Sequence, residues 1–454
     1  MRLYCVLRSQ SAVSLGGSTL RSSVSGSITT SSRFFCHAYP TVYCVPPEEP
    51  SRHTARTASL LNDEGFYRVD SGYSTDAHAG ILGYHGTSYY WSIIPGWISD
   101  HYRNLELSTM RWIFRVEGLG TDSYLDALAG VQWCLREEEE LPDMYPYGCV
   151  WQESQGGINI YRNECALPLG YVFTQQMSES AYAQLNPVQK RQALISCAVL
   201  EDGNESLPSF EGELNYETLD WELVSADGAT LEGNELRGTA GSTITLRFHG
   251  LPDSETYLRM RGPKVLEAQD DTDAMIACLT DAGVGGMYLI RQDGTFNYDQ
   301  TGACMRLGYS EDGMTECVLR LRDDCVIQFD ALELLSVPTD SFRGNIAQLQ
   351  QNGWQPEVEN NRIIGSVELD ECGALQIAVP YSRGWSARVN GEPAELLRCG
   401  GMYMALILDA GAYEVELSYI TPGLIPGMWI SLGAAAIIMI VCASNAIRRR
   451  RGVK

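Results

Sequence analysis

Alternation of apolar and polar positions is clearest just before Leu424. Leu375, Ile377 and Val379 fall on one side of an extended chain, with smaller or polar residues between them, the period of two that a half-buried strand requires. Tyr413, Val415, Leu417 and Tyr419 repeat the pattern, with Glu414 and Glu416 opposite. Between these runs, Trp385–Val389 leads into Asn390-Gly391, a pair suited to a type I′ turn because both central residues there need positive φ. Tyr403–Leu408 ends at a turn over 409–411, and a helix-like piece at 342–351 precedes Trp354. Together these predict a β-domain over 341–420.

Upstream the pattern shortens. ITLRF (244–248), TYLRM (256–260), MYLIR (287–291) and ECVLRL (Glu316–Leu321) are separated by Gly, Pro, Asp and Asn clusters, so 203–340 reads as an antiparallel β-sandwich. Residues 60–202 mix the two periods. FYRV (66–69) and Ile158 to Tyr161 read as strands, and 80–91 as a glycine- and aromatic-rich loop or strand pair. LDALAGVQWCL (125–135) starts with helical spacing at Leu125 and Leu128, breaks at Gly130 and continues as a strand. Over 178–200, Tyr182, Leu185, Val188, Leu194 and Val199 recur at loosely helical spacing, with Pro187 expected to divide the helix. Glu137 to Glu140 is a solvated charge run.

One stretch has no polar face. No charge occurs between Leu417 and Ile447, and four arginines, Arg448, Arg449, Arg450 and Arg451, follow at once. At about 1.5 Å per residue, a helix over Leu424–Ile447 exceeds the roughly 30 Å core of a bilayer. Trp429 suits an interfacial anchor. The arginines in the 448–454 tail mark the cytoplasmic end, so the bulk of the chain is expected outside the cytoplasm. The expected fold is thus an α+β region with a sandwich-like part, followed by one C-terminal transmembrane helix.

Residues 1–59 differ from the rest. They are rich in Ser, Thr and Arg, their first acids are Glu48 and Glu49, and they contain no signal-peptide apolar core. They read as a disordered tail or as sequence lying beyond the true start of the gene, with membrane spans expected upstream.

The net charge of −24 argues against a nucleic-acid partner, whose phosphates need basic residues. The 14 cysteines include no C-x-x-C pair and match no zinc pattern; free or sporadically paired thiols are expected. His78, His85 and His101 with Asp76 and Asp100 lack metal-ligand spacing, and Asp270, Asp271 and Asp273 lack the rest of a calcium loop; no metal and no cofactor is assigned. Nucleophile-elbow, zincin, Walker and dinucleotide motifs are absent. Tyr84, Tyr89, Tyr90, Trp91 and Trp97, with polar neighbours, could line a carbohydrate-binding groove or pack a loop against neighbouring spans; Tyr84, Tyr89, Trp91 and Trp97 are the sugar-contact candidates. Trp385, beside Pro380-Tyr381, reads as core or interface of the membrane-proximal β-domain rather than as a ligand contact.

Four stretches resemble one family, the YfhO-type bacterial membrane proteins. FYRV at Phe66 precedes LGYHGTSYYWS; LDALAGVQWCL follows; NECALPLGYVF begins at Asn163; and PYSRGWSARVNGEPAE begins at Pro380 and continues through LDAGAYEVELSYITPGLIPGMWISLG. The resemblance covers 66–450. It implies a polytopic protein similar to glycosyltransferases that use polyprenyl-phosphate sugars, acting on cell-envelope polymers. In such proteins the acidic catalytic residues lie in a loop between early spans, which residues 1–60 do not contain, so no catalytic residue is carried over and this chain alone is expected to be inactive. The implied partners are the lipid bilayer, a polyprenyl-linked sugar and a cell-wall polymer. The alternative class is a non-catalytic, membrane-anchored surface protein that binds polysaccharide or a protein partner.

Overall fold

Strand pairing organises the chain, and helices only punctuate it. The computed structural model describes residues 61, 63, 65–71, 83–90, 93–107, 109, 114–138, 143–268, 273–291 and 300–452; the expectations for residues 1–59, His78, Asp76, Trp91, Asp270 and Asp271 lie outside them. All described residues belong to one unit running from His53 to Lys454.

The helices are α1 (Gly96–Asn104), α2 (Ser123–Leu128), α3 (Glu179–Ala183), α4 (Pro187–Ser196), α5 (Asp340–Gln351) and α6 (Leu424–Arg451). Their ends have local causes. Asp122 caps α2, its carboxylate accepting from the Tyr124 and Leu125 amides, and Gly130 (φ 68°) redirects the chain after it. Asn186 and Gln189 form a capping box at the start of α4, with Pro187 in its first turn. The helical stretch is divided as expected, into α3 and α4, with Pro187 opening the second piece. Val199, counted with the helical positions, lies instead in a strand, Ala198–Leu200.

Two sheets share the second core. One runs Glu217–Leu219, Ala331–Pro338, Ser254–Arg261, Gly302–Ser310 in spatial order; the other runs Lys264–Ala268, Cys325–Gln328, Glu235–Phe248, Glu316–Leu321, Ala274–Thr280, Gly283–Leu289, with Trp221–Glu232 also paired to Glu235–Phe248. Inward residues of both, such as Leu258, Met260 and Leu334 against Ile244, Leu246 and Leu319, form one cluster, which is the face-to-face packing of a sandwich. The Trp221–Glu232 strand went unread because it is almost wholly exposed and so carries no apolar alternation.

The first core is built from distant parts of the sequence. A seven-stranded sheet runs Gly353–Trp354, Gly170–Phe173, Gly373–Pro380, Tyr403–Leu408, Leu397–Cys399, Ala198–Leu200, Gln176–Ser178. The segments 60–202 and 341–420, separated in the sequence reading, thus supply neighbouring strands: Leu375 opposes Val172 and Gln376 opposes Tyr171. Ile98, Leu128, Leu194, Ile363, Leu406 and Leu417 belong to the same cluster. Beside it lie a five-stranded sheet ending in Trp385–Val389 and Glu392–Ala394 and a four-stranded sheet ordered Arg68–Asp70, Val131–Glu137, Ile158–Asn163, Cys149–Gln155. The Asn390-Gly391 hairpin has the expected turn, with φ of 51° and 83°. Helix α6 contains Leu424–Ile447, 24 residues long and apolar enough to cross a membrane, and none of its most apolar window is buried against protein. The eleven described cysteines are free thiols.

Candidate functional site

A cleft of about 400 Å³ opens where the four-stranded sheet meets the end of α5, within the size range of small-ligand sites. Asp63, Phe66, Gln132, Arg162 and Asn163 line one side; Gln350, Gly353, Gln355 and Pro356 line the other, with 164–169 forming the base. Gln132 extends from Val131–Glu137, and its amide donates to Asp63 Oδ2 at 2.6 Å. Arg162, at the end of Ile158–Asn163, lies 3.7 Å from the same carboxylate and stacks its guanidinium over the Trp133 ring at 5.4 Å. Asn163 is buried and fixed at both ends of its amide, donating to Val131 O (2.9 Å) and accepting from the Cys165 amide (3.0 Å). Gln350 donates to the carbonyls of Glu164 and Ala166 at 2.8 and 3.1 Å, tying α5 to the base. Gln355 is exposed.

Phe66 supplies the cleft's aromatic ring. It is braced by His85, ring centroids 4.5 Å apart, and by the Arg68 guanidinium at 4.9 Å. Burial, then the Arg68 charge, holds His85 below the usual histidine range. Arg68 donates to the carbonyls of Ala129 and Ala378, so two separate strands and the end of α2 fix this corner. The lining offers amide donors and acceptors, one guanidinium, two carboxylates (Asp63, Glu164) and an aromatic face. That set offers binding contacts, and among the described lining residues no nucleophile stands beside a base.

The aromatic candidates fare differently. Tyr84 is buried with Leu135, Ile158 and Ile160 in the third core. Tyr89 is half-buried in a two-stranded pairing opposite Val116, and burial pushes its hydroxyl well above the usual tyrosine range. Tyr90 meets Phe114 edge-on at 5.5 Å. Trp97 donates its indole N–H to Tyr381 O at 3.1 Å and meets the Tyr381 ring at 5.7 Å. The structure does not gather these residues into the cleft. It packs them; of the cleft residues, Phe66 and Gln132 lie in the FYRV and LDALAGVQWCL stretches that carry the family resemblance, whereas Arg162 and Gln355 had no such mark. Trp385 meets Tyr419 at 5.1 Å. Trp429 is exposed on α6, in the part that spans a membrane by length and composition.

Among the metal candidates, His101 is buried, Asp100 pairs with Arg103 at 2.8 Å, and Asp273 accepts from the Arg291 amide. Among the described residues no group of three His, Cys, Asp or Glu is placed to hold a metal ion.

The chain matches the family described as "Bacterial membrane protein YfhO" over residues 48–431. No curated protein matches it. Solved structures similar to parts of it include the C-terminal CBM6 of the laminarinase LamC from Zobellia galactanivorans, at 13% identity and a TM-score of 0.21, covering 27% of this chain and 99% of that one. A family two carbohydrate esterase from Clostridium thermocellum aligns at 13% identity and a TM-score of 0.18, covering 26% of this chain and 33% of that one. Likenesses this remote decide nothing about the present fold, which rests on its own pairing and cores.

Proposed function

We propose, since the chain belongs to the YfhO family of bacterial membrane proteins, that its described region is the acceptor-recognition part of a glycosyltransferase that uses polyprenyl-phosphate sugars to modify cell-envelope polymers. In this reading the region lies outside the cytoplasm, the arginines after Ile447 remain inside, and transfer chemistry belongs to membrane-embedded residues other than those described. The described part contributes binding and position.

The observation that carries the reading is the cleft lining. Gln132 and Gln350 use amide N–H groups on Asp63 and on the carbonyls of Glu164 and Ala166, so they present amide oxygens as acceptors. The exposed Gln355 amide can donate and accept. This mix suits the hydroxyls of a sugar unit, and the Phe66 ring offers an apolar face. The Arg162 charge is already shared with Asp63, so the lining favours uncharged, hydroxyl-rich groups over free anions.

The test uses the full chain in lipid nanodiscs, titrated calorimetrically with a glucose oligosaccharide series and with polyglycerol phosphate. Saturable binding that weakens about tenfold, about 1.4 kcal/mol, in both Phe66→Ala and Gln132→Ala is expected. Binding unaffected by both substitutions, or no binding of any glycan, overturns the reading and leaves a membrane-anchored protein with another partner.

A further inference from the structure

Ile93 is 83% exposed, more than any other large apolar side chain among the described residues. Its exposure is fixed by its neighbours. Ile94 packs against the first core, and Ile98 and Tyr102 of α1 with its C-cap Leu105 are buried in that core, so the neighbours of Ile93 face inward while Ile93 does not.

Ile93 precedes Trp97 by four residues, and Trp97 donates to Tyr381 O and packs on its ring. Tyr381 opens the loop that ends at Gly384, and Gly384 O accepts from the Ile420 amide at 2.9 Å. The fit there is tight: a Cβ on Gly384 would fall 2.5 Å from the Tyr419 ring and 3.0 Å from Pro422. Residues 420–423 then join Leu424 over at most about 14 Å of chain, with the Leu424 amide donating to Thr421 O at 3.0 Å. The loop at 380–384 therefore touches both Trp97 and the segment 419–422 that leads into the span. It also presents Arg383, an exposed cation in a chain of net charge −24, and Ile420 beside it is 51% exposed.

We propose that Ile93, Trp97, Tyr381, Arg383 and Ile420 form a lipid-binding face, with Ile93 in the acyl boundary and Arg383 on a lipid phosphate. Aromatic rings, an aliphatic tip and an arginine on one surface are the composition that membrane interfaces select. Continuity with the span names the occupant as the bilayer itself, since a face tied this closely to Leu424 is held at the level where the helix enters lipid. A phosphate-seeking arginine there is the kind of basic group that anionic headgroups attract.

The test reconstitutes the full chain in vesicles of phosphatidylcholine and phosphatidylglycerol, with a photoreactive diazirine amino acid replacing Ile93 or, as the control, Leu266 of the sandwich. Lipid adducts at position 93 at least about tenfold above those at 266 are expected. Adducts at 93 only with water, or only with another polypeptide, overturn the proposal. Arg383→Gln should lower the lipid-adduct yield at 93 several-fold with phosphatidylglycerol present; an unchanged yield removes the headgroup contact.

Discussion

Arg191 Nε donates to Asp122 Oδ2, and both side chains are buried. Residue 191 lies on α4, and Asp122 is the N-cap of α2, so one ion pair fixes two helices to each other. The guanidinium also donates to Leu105 O and Pro187 O at 3.0 and 2.9 Å, which adds the end of α1. Removing one partner of a buried pair leaves an uncompensated charge and costs about 3–5 kcal/mol. Asp122→Asn keeps a competent N-cap yet should lose close to that amount, because Arg191 keeps its charge. Denaturant unfolding of Asp122→Asn, Arg191→Met and the double variant checks this; the double variant should be the more stable one relative to the sum of the singles.

His101 makes the fold sensitive to mild acid. It is buried on α1 near Arg191 and Tyr403, and burial, followed by the Arg191 charge, lowers its pKa from 6.5 to about 4. Between those values the unfolded chain holds a proton that the folded chain does not, so stability falls as pH drops from 6.5 to 4. A gap of this size corresponds to about 3 kcal/mol. Unfolding measured at pH 7, 5.5 and 4 should show that slope in the native chain, and His101→Leu should flatten it by the same amount over that window.

Local structure was legible where the sequence repeats or punctuates. Asn390-Gly391 marks its own turn, Gly130 its own break between helix and strand, and Leu424–Ile447 a helix with no polar face. What the sequence hid was long-range. Gly170–Phe173 and Gly373–Pro380 are neighbours in one sheet, two hundred residues apart, and nothing in either run announces the other. The buried charges were equally silent, since Asp122, Arg191, Glu255 and Arg306 look like surface residues until the fold brings them together. The cleft shares that invisibility in part: Phe66 and Gln132 lie in stretches that carry the family resemblance, but nothing in them pairs these residues with Gln350 and Gln355, more than two hundred positions away. Of the two uses the aromatic cluster left open, the described rings show packing, as Tyr84 in a core and Trp97 against Tyr381 do, because large rings are what a core most often needs.

Ser123 carries the contact between α2 and the sandwich. Its hydroxyl donates to Glu255 Oε1 at 2.6 Å and accepts from the Tyr147 amide at 2.7 Å. Glu255 is buried, takes a further bond from the Tyr257 hydroxyl at 2.8 Å and pairs with Arg306. Ser123→Ala removes both hydroxyl bonds and strands the Tyr147 amide, which should cost about 1–3 kcal/mol. Hydrogen exchange offers the sharper reading. The Tyr147 amide should lose its protection in the variant while amides deep in Glu235–Phe248 keep theirs.

Gly353 sets the width of the cleft. A Cβ there would sit 2.6 Å from Pro168 Cγ and 3.0 Å from Gln350 O, so the base at Pro168 and the end of α5 both close on the glycine. Gly353→Ala must push Pro168 or the end of α5 aside, an overpacking that costs about 1–3 kcal/mol. Because Gln350 is hydrogen-bonded to Glu164 O and Ala166 O, the movement is transmitted to the cleft base. The variant should unfold at a lower denaturant concentration with an unchanged slope, and it should bind the glucose oligosaccharides more weakly than the native chain at temperatures where both are fully folded. Stability lost with affinity retained would place the ligand elsewhere on the surface.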